Sequence, residues 1–176
     1  IIYAGAQKNM GSAGTNLVVV NKNILGKVKR AIPSIMDYRN HIQAKSMLNT
    51  PPVFAIYVSM LTLRWLKEKG GVEVIEKLNN EKAALLYQAI DDSHLFRPTA
   101  AKEDRSKMNI CFVMEDPAKE KSFLEFAKQN DIYGIKGHRS VGGFRASLYN
   151  ALPLSSVQYL VGKMKEFENA FFLLLG

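Results

Sequence analysis

The chain has 176 residues, 47% of them hydrophobic, a net charge of +8 and a single cysteine, Cys111. That length suffices for a real core, in one domain or two small ones, and the composition is ordinary for a globular protein. The lone cysteine excludes an internal disulfide and fits a reducing, cytoplasmic setting, while no basic-then-apolar leader and no bilayer-length uncharged run points to a membrane.

The elements follow in chain order. Ile1-Ile2-Tyr3 reads as the end of a buried strand. It runs into Tyr3 to Gly14, a stretch rich in glycine and alanine with Lys8 between Gln7 and Asn9. Small residues let backbone pass close to something. A lysine in such a loop is either solvated or, if crowded, a Schiff-base nucleophile whose amine is freed by desolvation. A strand is expected over 15–21, a short basic helix or turn near 24–30, and a long ordered loop over 33–48, the kind that is functional or forms an interface. Asn49-Thr50-Pro51-Pro52 reads as a helix start, with Thr50 as cap and Pro51 in the first turn. The following run, 53–66, is apolar nearly all round and so is expected to be buried on most faces. A capped N-terminus is either just that or a phosphate site.

Gly70-Gly71 stops this helix, and a second runs over 72–91. Its apolar positions include Ile75, Leu78 and Leu86, with Glu73, Glu76, Lys77, Asn80, Glu81 and Lys82 assigned to a solvated face. A domain boundary is placed near Ser93. Beyond it strands are expected at 95–99, 108–114, 132–135 and 144–149, a helix from Asp116-Pro117 to about Asn130, and a last helix capped by Ser155 or Ser156. Strands with helices on one face make a two-layer α+β domain. Cys111 is expected to be a buried structural residue. The run 136–147 sets His138, Arg139 and Arg145 among three glycines. It is either a solvated hairpin or an anion site, because a guanidinium grips carboxylate and phosphate through a planar fork. Arg145 is expected opposite the apolar face of its strand, free to project into an interdomain cleft. The positive charge suggests anionic partners, but basic residues are spread along the chain without a nucleic-acid stripe.

The lysine loop, the Asn-Thr pair and above all the run 136–147 resemble the phosphoserine aminotransferases, fold-type I enzymes that use pyridoxal 5'-phosphate. The resemblance covers nearly all of this chain and the second half of a family member. It implies an α/β fold: residues 1–93 as the C-terminal part of the cofactor-binding large domain, residues 94–176 as a small two-layer α+β domain. It implies that Lys8 holds the cofactor as an imine and then shuttles the substrate proton, with Gln7 near the cofactor phosphate. Asn49 and Thr50 would reach the cofactor phosphate of a partner subunit, making the active unit a homodimer. Arg145 would hold the substrate α-carboxylate, and His138 and Arg139 would reach across the dimer interface to the phosphate of phosphoserine or the side-chain carboxylate of glutamate. No metal, nucleic acid or membrane is implied. The implied reaction exchanges an amino group between O-phospho-L-serine and 2-oxoglutarate in serine biosynthesis, in some members also serving vitamin B6 synthesis. Cys111 stands where the family commonly has proline. Another class V aminotransferase, a cysteine desulfurase or a basic nucleic-acid-binding domain are the competing readings. A desulfurase needs its cysteine on a mobile loop, whereas Cys111 falls in an expected strand.

Overall fold

The computed structural model describes residues 1–140 and 142–173. Val141 of the arginine-bearing run and the end of the apolar tail, 174–176, lie outside the described residues. The backbone forms two compact units, Ile1–Lys69 and Gly70–Gly176.

In the first unit, strands β1 (Ile2–Gly5) and β2 (Asn16–Val19) pair antiparallel, with Ile2 opposite Val19 and Gly5 opposite Asn16. Two 3-10 turns follow, Lys22–Ile24 and Ser34–Met36. The stretch expected as a loop contains helix α1 (Tyr38–Gln43). Asp37 caps it by accepting the Arg39 N–H at 3.0 Å, and its carboxylate also holds the Arg39 guanidinium at 2.6 Å. Helix α2 spans Val53–Glu68.

Two expectations of burial fail here. Ile2 and Tyr3 are exposed, 70% and 80%, because a two-stranded ribbon offers its side chains little to bury against within this unit. Helix α2 buries only Ala55 and Ser59, leaving Phe54 76% exposed and Tyr57, Leu61 and Leu63 open as well. Its covered face is the one with small residues, and no element of the first unit reaches the bulky sides. The helix also starts later than expected. Two consecutive prolines carry the chain to a cap at Pro52, which has no side-chain hydrogen bond, so Thr50 is not the cap.

In the second unit, α3 (Gly71–Asp91) and α5 (Leu154–Leu173) pack with α4 (Glu120–Gln129) on a three-stranded antiparallel sheet. The strands are β3 (Phe96–Pro98), β4 (Asn109–Met114) and β5 (Phe144–Ser147), in the order β3-β4-β5. Helix α3 belongs to this unit, although the sequence placed the boundary after it, because its apolar stripe is covered by the sheet and α5. Alternation on β4 sends Ile110, Phe112 and Met114 into the core, and β5 does the same with Phe144 and Ala146. Four buried phenylalanines cluster at the centre: Phe123 lies 4.8 Å from Phe96 and 5.1 Å from Phe144, and Phe112 lies 5.1 Å from Phe144, centroid to centroid. Each fully buried ring stabilises by about 1.5–3 kcal/mol relative to exposure.

Four local expectations are corrected here. Residues 132–135 form no strand, since Asp131 and Gly134 both take positive φ (56° and 75°) and break the extended run. A single bridge, Lys136 to Phe144, is all that pairs. Helix α5 begins at Leu154, with Ser156 N–H donating to the Pro153 carbonyl, so the two serines sit inside its first turn. Cys111 is half-buried, because its neighbours on β4 occupy the inward face. Lys82 is not solvated: it is 0% exposed.

Candidate active site

The lysine loop is the connection between β1 and β2. Ala6 N–H donates to Thr15 O at 2.9 Å, which extends the ladder by one pair and closes the neck of the loop. Gly11 packs against α2 with φ of 148°, and a Cβ there would stand 2.6 Å from Ser59 Oγ and 2.8 Å from Ser59 Cα. That approach needs glycine. The crowding expected around Lys8 falls on Gly11 instead, and Lys8 itself is exposed on the loop, as is Gln7, whose amide folds back against Gly5. Three hydroxyls buried in the same wall, those of Ser12, Thr15 and Ser59, have no hydrogen-bond partner.

Asn49 and Thr50 are also exposed in the first unit, and the Asn49 amide donates to its neighbour's carbonyl at 3.2 Å. Their side chains are available to an incoming group, without the helix cap that the sequence suggested.

The arginine-bearing run is a hairpin at the end of the second unit's sheet. Gly137 N–H donates to Gly143 O at 2.8 Å, Gly142 N–H to His138 O at 2.9 Å, and Arg145 N–H to Ile135 O at 2.7 Å. Gly143 is forced by φ of 60° and by Phe112 O, 2.7 Å from where a Cβ would be. His138 and Arg139 are exposed at the tip. Ser140 N–H and hydroxyl both meet His138 Nδ1, at 3.3 and 2.7 Å. Arg139 has no acceptor among the described residues.

Arg145 stands opposite the apolar side of β5, as its position in the alternation requires, beside Cys111 of β4. It lines a cavity of about 450 Å³ with Tyr133, Ser147, Ser155, Ser156 and Tyr159. Its Nε is buried without a hydrogen-bond partner among the described residues. A buried guanidinium N–H with no acceptor costs free energy that an arriving anion would recover. Among the described residues no group of His, Cys, Asp and Glu is placed to hold a metal ion, and no helix is long and apolar enough to cross a membrane.

The structure thus brings His138, Arg139 and Arg145 together on one hairpin, and sets Gln7, Lys8, Asn49 and Thr50 in the other unit. Sequence reasoning missed the polar contacts beneath the hairpin strand. Lys82 and Asn79 of α3 both reach the segment that follows β5. The signal was present, since Ile75, Asn79, Lys82 and Leu86 keep helical spacing and share one buried stripe.

Residues 1–160 match the family model described as Aminotransferase class-V. The chain is 59% identical over 170 residues to a phosphoserine aminotransferase of Porphyromonas gingivalis, covering 96% of this chain and 47% of that protein. It is 59% identical over 169 residues to one from Flavobacterium johnsoniae, covering 96% and 48%. Among solved structures, the phosphoserine aminotransferase from Bacillus circulans subsp. alkalophilus superposes with a TM-score of 0.90 at 40% identity, over 96% of this chain and 47% of that one. The pyridoxal-phosphate-bound enzyme from Trichomonas vaginalis gives 0.86 at 42% identity, over 93% and 47%. The chain spans about half the length of the relatives that it matches.

Proposed function

Since the chain belongs to the class-V aminotransferase family, we propose that it supplies the lysine loop and the anion-binding hairpin of a phosphoserine aminotransferase. The reaction is reversible amino transfer between O-phospho-L-serine and 2-oxoglutarate, giving 3-phosphooxypyruvate and L-glutamate. The observation that carries this reading is Arg145, whose buried Nε has no acceptor, next to a hairpin tip bearing two more anion-seeking side chains. An amino acid with two anionic groups needs two cationic grips: Arg145 of one copy supplies the first, and the hairpin tip of the second copy, with His138 and Arg139, supplies the other.

The residues also suit pyridoxal phosphate. An exposed amine on a loop closed at its neck is accessible to an aldehyde yet held in place, and the buried hydroxyls of Ser12, Thr15 and Ser59 make the surrounding wall polar. When bound, the cofactor supplies the electron sink that makes the substrate α-proton removable. Lys8 anchors it covalently and, once released, moves that proton. Gln7, Asn49 and Thr50 hold the cofactor phosphate, the last two from a second copy of the chain, so the active unit is a homodimer in the cytoplasm. Arg145 takes the α-carboxylate. His138 and Arg139 of the second copy take the phosphate or distal carboxylate. A desulfurase role for Cys111 is disfavoured, because this residue sits in the middle strand of the sheet rather than on a loop.

The test is substitution of Arg139 by Ala in the full-length protein. Binding of phosphoserine should weaken far more than binding of an uncharged amino acid such as alanine. Equal losses for both would remove the phosphate role.

A further inference from the structure

One buried cation takes no part in this chemistry. Lys82, 0% exposed on α3, donates from Nζ to Tyr149 O at 2.9 Å, Leu152 O at 3.1 Å and Leu148 O at 3.3 Å. An ammonium has three hydrogens, and these three carbonyls use them all. Asn79, one turn earlier and 5% exposed, donates to Asn150 Oδ1 at 2.8 Å. All four acceptors lie within residues 148–152, the segment joining β5 to α5.

Among the described residues no carboxylate neutralises Lys82, and burial pushes its pKa below the usual lysine value. A methionine would fill the same space without desolvating a charge. What a methionine lacks is the ability to draw three carbonyls to one point. Two of those carbonyls belong to Leu148 and Leu152, which themselves line the cavity beside Arg145. Leu148 continues the strand that carries Arg145, and Leu152 precedes the helix that brings Ser155 and Ser156 to the opposite wall. One ammonium therefore ties two residues of the cavity lining, Leu148 and Leu152, to α3.

We propose that Lys82, assisted by Asn79, is a positioning residue that fixes the strand end and helix start around Arg145, and so sets the carboxylate grip of the site. This rests on the reading of Arg145 given above.

The experiment is steady-state kinetics of the full-length enzyme with Lys82→Met, Asn79→Ala and Arg145→Gln. Lys82→Met should raise KM for phosphoserine and for glutamate by about tenfold, the order lost when one hydrogen bond to a charged group is weakened, while kcat changes little. Asn79→Ala should raise both KM values in the same direction by a smaller factor, and it remains informative if Lys82→Met does not fold. Amide exchange at residues 145–152 should quicken in both. A lowered melting temperature with both KM values unchanged would overturn the proposal and leave Lys82 a core residue only. A raised KM in Arg145→Gln with no rise in the other two overturns the positioning role alone. An unchanged KM in Arg145→Gln overturns the carboxylate assignment and the positioning role together.

Discussion

Replacing Gly11 by Ala tests how the lysine loop is held. The new methyl would stand 2.6 Å from Ser59 Oγ, 2.8 Å from Ser59 Cα and 3.1 Å from Ser59 N. Rotating the serine side chain relieves only the first of these, because the other two atoms are helix backbone. The loop must therefore lift from α2, or the methyl must overlap. Overpacking of this kind costs about 1–3 kcal/mol, and a non-glycine residue at this φ adds about 1–3 kcal/mol. The sum is about 2–6 kcal/mol. Gly71→Ala is the control: its φ is also positive, 73°, but nothing lies within 4 Å of the added methyl, so only the strain remains. Thermal melting of the two variants in the full-length protein separates the contributions, and cofactor binding by absorbance reports on Lys8. Gly11→Ala should melt lower than Gly71→Ala and bind cofactor more weakly. Equal melting points would refute the claim that the loop is seated on Ser59.

The remaining predictions concern the second unit. Phe112→Ala removes a fully buried ring in contact with Phe96 and Phe144 and should cost about 3–5 kcal/mol, measured by urea unfolding; a loss under about 1 kcal/mol would mean that the core relaxes around it. Asp91 receives two Arg105 hydrogen bonds at 2.7 Å, and that guanidinium lies 4.6 Å over the Tyr87 ring. Asp91→Asn should cost about 1 kcal/mol near neutral pH. The Arg105 hydrogen bonds hold the Asp91 carboxyl below its ordinary 3.8, so its contribution is present above that value and lost as pH falls through the lowered one. The gap between wild type and variant, read from urea midpoints, should close in strong acid; a gap that persists there would reject the ion pair as its source.

The second unit was more legible in the sequence than the first, for a physical reason. Its elements bury their apolar faces against one another, so periodicity reports position. The alternation through Phe144, Ala146 and Leu148 and the helical stripe of α5 appear in the structure as read. In the first unit, composition alone marks β1 and α2 as buried, yet burial needs a covering partner, and Phe54 and Tyr3 have little within that unit. Cap chemistry misled twice. Thr50 is separated from its helix by a second proline, and Ser155 and Ser156 already lie inside the first turn of a helix that begins at Leu154. Helix α1 was missed although Asp37 caps it, because six residues are too short to show a period. Lys82 was misread because residue type was allowed to outweigh its place in the stripe. The hairpin that carries His138, Arg139 and Arg145 was legible, since glycines between two apolar segments mark a turn. The absence of an acceptor for Arg145 Nε is a fact of packing that no spacing encodes.

The central claim concerns the Lys8 amine, and absorbance spectroscopy of the full-length protein with pyridoxal phosphate tests it most directly. Wild type should develop the visible band of a covalently joined cofactor, and phosphoserine should convert it. Lys8→Ala should show neither the band nor turnover. A Lys8→Ala protein that keeps the band and still consumes phosphoserine would contradict the account.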